Sequence, residues 1–240
     1  MKKIPVMLTA MLFAAALIAQ KTINDANAEP RNHTGFHAIK ISNAFDVYIT
    51  QANEEAVAVS ASKAEYRERI KTSVENGVLV IRFEDEKKFW KSLGGDKLKL
   101  KAYISVKKLD KLNVSGACDV FMEEGISAEA LEIVFSGASD LKGKVDVKTL
   151  KVDINGASDV TLTGNAASLV VEASGASDFK GFDLITNYCD AKASGASSIS
   201  ITVNKELNAS ASGASSVRFK GEGLIRDIKT SGASNVSRKS

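Results

Sequence analysis

Four aspartates, Asp119, Asp140, Asp159 and Asp178, each stand three residues after a glycine in successive copies of one pentapeptide, and Asp46 stands three residues after Asn43 in a looser copy. Carboxylates recurring at one place in a repeated unit can do two kinds of chemistry. If the units stack, the oxygens of adjacent turns form an acidic column that could hold Ca²⁺ weakly, as extracellular modules do. Otherwise each carboxylate accepts hydrogen bonds from the backbone of its own turn, a role that Ser and Asn also fill. Later copies carry Ser198, Ser216 and Asn235 at this place, which the turn-forming role accommodates. Stacked carboxylates about 4.8 Å apart repel by roughly 0.9 kcal/mol per pair in bulk-water dielectric.

Other reactive side chains are sparse. The two histidines, His33 and His37, both precede the repeats, so a Ser-His-Asp arrangement would need the chain to fold back on itself. The many serines of the pentapeptides read as turn formers. No His/Cys cluster has zinc spacing, and glycines arriving one per repeat do not make a phosphate loop. No catalytic residue and no cofactor other than the Ca²⁺ of the Asp column is expected. Phe89 and Trp90 form an aromatic pair in a polar stretch, suited to contacting a sugar or a partner, or to closing the open end of the fold as a lid. Of the two cysteines, Cys189 falls where other copies have Leu and reads as a core residue, while Cys118 replaces a corner serine and is expected to be accessible enough to label. The register sets them at least three turns apart, beyond reach of a disulfide.

The elements that carry these residues follow from the repeat. The pentapeptides centre on Gly116, Gly137, Gly156, Gly175, Gly195, Gly213 and Gly232, at intervals of 21, 19, 19, 20, 18 and 19 residues. Units so short cannot bury an apolar face alone and must stack. Apolar residues lie four before the glycine (Leu112, Ile133, Val152, Val171, then Ala191, Ala209, Ile228) and four after it (Val120, Leu141, Val160, Phe179, Ile199, Val217, Val236). Period-two alternation on both sides of a glycine corner predicts strand, turn, strand. The small alanine that follows each glycine is expected inside the bend. The fold class is all-β, a single-stranded parallel β-helix, or solenoid, with turns of about 19 residues; a sandwich of hairpins would need alternating turn types.

The preceding third is an irregular N-terminal β region spanning 29–112, with the regular repeats over 113–240. It opens on a degenerate copy, Ile41–Ile49, with Asn43 in the glycine place. Ser62-Lys63-Ala64-Glu65 has capping-box spacing and predicts a helical turn, and Asn76-Gly77 between alternating strands predicts a type I′ hairpin. Before all this, Lys2-Lys3, an apolar run over Val6–Ala19 and Ala26-Asn27-Ala28 make residues 1–28 a Sec signal peptide with cleavage before Glu29. The run is too short to span a bilayer, and no cysteine lies near it for lipoprotein processing. The expected location is periplasmic or extracellular. Without residues 1–28 the balance is 29 basic against 28 acidic side chains, which argues against a nucleic-acid partner.

The signal peptide, the opening motif with Asp46-Val47, the Asn76-Gly77 hairpin and the tandem Ser-Gly-Ala-Ser-Asp turns together resemble the bacterial domain called "putative auto-transporter adhesin, head GIN domain", over roughly residues 36–220. The resemblance implies an exported β-helical protein of adhesin-like character. After Val236 only Ser-Arg-Lys-Ser follows, with no stalk or membrane barrel as an autotransporter has. The expected function is a non-enzymatic binding or structural module for a glycan or a cell-surface protein. The alternative is a polysaccharide-active β-helix with a Ca²⁺ site on the Asp column; ice binding lacks its Thr-x-Thr ladders.

Overall fold

A computed structural model of the protein describes residues 25–84 and 98–239. The chain forms β1 (Glu29–Arg31), β2 (Ala38–Ile41), β3 (Asp46–Gln51), β4 (Ala56–Ala61), the helical turn α1 (Ala64–Arg67), β5 (Ile70–Glu75), β6 (Val78–Phe83), β7 (Leu100–Val106) and β8 (Lys111–Gly116). Long strands follow: β9 (Asp119–Gly137), β10 (Asp140–Ile154), β11 (Asp159–Ala173), β12 (Asp178–Ala193) and β13 (Ser198–Ala211). The last turn comprises β14 (Ser216–Lys220), β15 (Leu224–Thr230) and β16 (Asn235–Arg238). From β8 onward every pairing is parallel, and like residues stack on like: Asp119, Asp140, Asp159, Asp178, Ser198, Ser216 and Asn235 are successive partners. This is the parallel β-helix that the repeat predicts.

The corner explains why the pentapeptide recurs. Gly116, Gly137, Gly156, Gly175, Gly195, Gly213 and Gly232 all have positive φ. Each following alanine donates its N–H to the glycine carbonyl of the turn before, from Ala138 to Gly116 at 2.7 Å through Ala214 to Gly195 at 2.8 Å. That bond draws the corners so close that a Cβ on Gly156 would lie 2.4 Å from the Gly137 oxygen, inside any tolerable contact. The opening copy meets the demand differently: Asn43 takes φ 86°, as Asn does more readily than other side chains, and its carbonyl accepts the Ala117 N–H at 2.7 Å.

The residue inside the bend is not the alanine. Ala117, Ala138, Ala157, Ala176, Ala196 and Ala214 are exposed, and the next residue in each copy points inward instead. Ser139, Ser158, Ser177, Ser197 and Ser215 are buried, each hydroxyl tied to corner backbone. Ser177 Oγ lies 2.9 Å from the Ser174 carbonyl, and Ser158 Oγ accepts the Ser139 N–H from the preceding turn at 3.2 Å. A corner carbonyl turned toward the core needs such a donor, because a buried acceptor left unmet costs about 1–3 kcal/mol. Cys118 belongs to this column and is fully buried, so it is not the accessible thiol that its corner position suggested. Its Sγ makes long contacts to the Asn43 and Ser115 carbonyls, and burial pushes the thiol up to about 11. Cys189 is buried in the Leu column, and both thiols are free.

Inside, the apolar columns form one continuous core from Phe36 to Phe219. The N-terminal end is woven rather than simply stacked. β3 lies between β7 and β9, and β2 lies between β6 and β8, so the opening copy is the second layer in space. The chain leaves it, crosses the end through antiparallel β4, α1 and β5, and returns as β6 and β7 on its outer side. Asn76 and Gly77 both have positive φ, as a type I′ hairpin requires. α1 forms where predicted, but Lys63 is its N-cap and makes no side-chain cap; Ser62 instead continues the sheet through its N–H to Lys99. At the other end the columns do not close: Ile228 stacks on Ala209, yet it is 39% exposed because no further turn among the described residues covers it.

Replacing a central corner glycine tests this architecture. Gly175→Ala forces a Cβ to 2.4 Å from the Gly156 oxygen at φ +79°. Left-handed strain and that clash together should cost ~2 kcal/mol or more, whereas the neighbouring exposed Ala176→Ser should shift the urea midpoint little.

Candidate functional site

Alternation sets the residues three and five after the glycine on the outer face, side by side. The first column is the aspartates, continued past Asp46 by Lys101 of β7. The second runs Tyr103, Tyr48, Phe121, Lys142, Thr161, Lys180, Ser200 and Arg218 through successive strand partners. One flat face thus presents a row of carboxylates beside a row that begins aromatic and becomes basic.

The carboxylates are not equivalent. Lys180 Nζ sits 2.6 Å from Asp159, and this hydrogen bond, with the nearby Asp178 and Asp140 charges, holds the ammonium above its ordinary pKa. Asp140 Oδ1 accepts the Asp159 backbone N–H at 3.3 Å, so the resolved carboxylate-to-backbone bond crosses to the next turn rather than closing its own. Asp119 lies nearer the aromatic end. Desolvation first, then the charges of Asp140 and Asp46, raise its pKa, with Lys142 pulling the other way. Lys142 and Lys180 therefore share an outward column with one intervening threonine, a relation that the residue order alone had not suggested. Among the described residues, no three His, Cys, Asp or Glu side chains converge closely enough to hold a metal ion.

The aromatic end is a ladder. Tyr48 stacks on Tyr103 and on Phe121, with ring centroids 5.2 Å apart in each pair and planes inclined by 13° and 18°. Stacking of this kind leaves ring edges, not faces, toward solvent, and both faces of Tyr48 are occupied. The Tyr103 hydroxyl donates to Asp25 at 2.9 Å, and burial with that partner's charge raises its pKa well above the ordinary phenol value. This ladder escaped the sequence reading, although Tyr48 and Phe121 hold the same place in their copies, five residues after Asn43 and Gly116.

Elsewhere the candidates disperse. His33 Nε2 lies 2.8 Å from Thr72 Oγ1, and His37 Nδ1 lies 3.2 Å from Asp110, while the corner serine hydroxyls are held by backbone. Phe89, Trp90 and the segment 1–24 lie outside the described residues.

Comparison with solved structures shows the same fold. A crystal structure of a "putative adhesin" from Bacteroides fragilis has a TM-score of 0.80 at 20% identity, covering 88% of this chain and 96% of that one. Another "putative adhesin", from Parabacteroides merdae, has a TM-score of 0.68 at 16% identity, covering 89% and 95%. A "putative lipid binding protein" from Parabacteroides distasonis has a TM-score of 0.67 at 17% identity, covering 90% and 98%. No curated protein matches the chain. The family model described as "Putative auto-transporter adhesin, head GIN domain" matches residues 35–223, ending just before β15. With its glycine corners and stacked turns inside that match, the chain belongs to the head GIN domain family.

Proposed function

We propose that the chain is an exported, non-enzymatic, adhesin-like module that uses the two-column face to bind a glycan or a cell-surface protein in the periplasm or outside the cell. The observation that carries this reading is the register itself. Asp46, Asp119, Asp140, Asp159 and Asp178 are locked at strand spacing beside Tyr48, Lys142 and Lys180 on a sheet that cannot slip, because its corners are bonded turn to turn. A repeated polymer is matched by a repeated row of donors and acceptors with little ordering cost on the protein side. Since ring edges face outward, a sugar would be held by hydrogen bonds to carboxylates, ammoniums and the Tyr48 hydroxyl rather than by stacking on a ring.

A glycan array read with and without Ca²⁺ tests the assignment. Binding should appear in both conditions and fall at least tenfold in the double variant Tyr48→Ser/Lys142→Ser. Binding that survives this change would remove the face from the account, and binding lost on chelation and in Asp140→Asn/Asp159→Asn would favour the polysaccharide-active, Ca²⁺-dependent alternative.

The raised pKa of Asp119 predicts a pH signature for the same face. The native state holds this proton to higher pH than the unfolded chain does. The group therefore does not oppose folding below its unfolded pKa, and it lowers stability as pH rises through the folded value. Asp119→Asn should raise the melting midpoint at pH 7 by about 1–2 °C, a size set by screening of an exposed group, and should have no effect at pH 3. An unchanged midpoint at pH 7 would contradict the repulsion.

A further inference from the structure

Large apolar side chains are unevenly spread over the surface. Of the six that are exposed among the described residues, Ile185, Tyr188, Leu224, Ile225 and Ile228 all lie at the C-terminal end of the solenoid, and only Tyr48 lies elsewhere. Ile225 and Ile228 belong to the open last turn and would be covered by any turn stacked upon it. Tyr188 and Leu224 are different. They stand in one outward column with Glu206 between them, 45% and 60% exposed, on the side of the sheet where a further turn would not reach. Ile185, half exposed, lies three residues before Tyr188 and pairs with Thr202, four residues before Glu206.

Cations gather around this patch. Lys220 and Lys239 place their ammoniums 4.8 and 5.0 Å from the centre of the Phe182 ring, and Lys205 is 5.5 Å from that of Tyr188. Among the described residues none of these three lysines has a carboxylate partner, unlike Arg226, which pairs with Glu206 at 2.6 Å. Between Lys205 and Lys239 the chain has seven Lys and Arg against three Asp and Glu, whereas the rest of the sequence is nearly balanced at 25 against 26.

We propose that this lateral patch docks on the surface of an anionic phospholipid bilayer. Leu224, Ile185, Tyr188 and Phe182 would enter the headgroup boundary while Lys205, Lys220 and Lys239 meet the lipid phosphates. Aliphatic tips with amphipathic aromatics and a cationic rim are the composition that an interface of this kind accepts. A hydrated polyanion would use the lysines but gain nothing from Leu224 and Ile185. A second copy docking end to end would bring two cationic ends together. Ile185 and Lys220 flank Thr202 in the outward column next to that of Lys180, Ser200 and Arg218, so the patch borders the C-terminal edge of the two-column face, but it does not depend on the function proposed for that face.

An environment-sensitive fluorophore attached through Leu224→Cys tests the proposal on the whole chain, because Cys118 and Cys189 are buried and the introduced thiol is the accessible one among the described residues. Phosphatidylglycerol vesicles should at least double the emission and shift it to the blue, and phosphatidylcholine vesicles should not. The response should fade in 0.5 M salt, and Lys220→Gln with Lys239→Gln should weaken vesicle affinity by about fivefold for each charge removed. The same label at Thr161→Cys, on the two-column face, should stay silent. No response to phosphatidylglycerol, an equal response to phosphatidylcholine, an equal response to dextran sulfate, or a response to unlabelled protein alone would each overturn it, the last two in favour of a polyanion and a second copy.

Discussion

The hydrogen bond from each corner alanine to the glycine carbonyl one turn earlier is the interaction on which the rest of the molecule depends. It spans 2.7–2.8 Å from Ala138 to Ala214, with Asn43 standing in as acceptor for Ala117, and it brings backbone so close to backbone that no Cβ fits at the glycine. Once it forms, the next turn has no freedom of register. The residues four before and four after the glycine fall on their counterparts and build the core, and those three and five after it fall on theirs and build the outer face. The inward serine completes the corner by meeting carbonyls that have turned away from water. Glycine, alanine, serine and aspartate in that order thus answer four separate demands: positive φ, a small exposed donor residue, a buried hydroxyl and an outward polar group.

Register locking has an electrostatic consequence. A sheet that cannot slip must stack like charges when its sequence repeats, and Asp119 bears this most plainly, between the carboxylates of Asp46 and Asp140. The chain relieves the repulsion from the side, with Lys142 and Lys180 one column over, and ends the run at Ser198 and Ser216. Folding itself does not demand a carboxylate there, since serine and asparagine occupy the same column in later turns without altering the register.

Much of the fold was legible because a tandem repeat states the same local decision many times. The glycine column, the parallel register and the two thiols far apart all follow from spacing, and Asn43 was recognisable as the substitute corner. What escaped has a physical reason in each case. Alanine and serine are both small, so composition could not tell which points inward, and only the hydrogen-bonding need of the corner carbonyls decides it. Cys118 was misplaced for the same reason. The weaving of β6 and β7 outside the opening copy reflects a non-local crossing that no repeat period encodes. The aromatic ladder joins two copies to β7, which is not a copy, so only its Tyr48 and Phe121 rungs were visible in the alignment of repeats.

The central claim, that exposed corner alanines carry the bonds holding turn to turn, is tested most directly by amide hydrogen exchange. Ala138, Ala157, Ala176 and Ala196 are solvent-exposed in their side chains, and in an ordinary surface turn their amides would exchange freely. The account predicts slow exchange at all four, opening together with the core amides of β10–β12, and progressively faster exchange toward Asn235 at the uncovered end. Fast exchange at these four alanines with slow exchange in the neighbouring strands would contradict it.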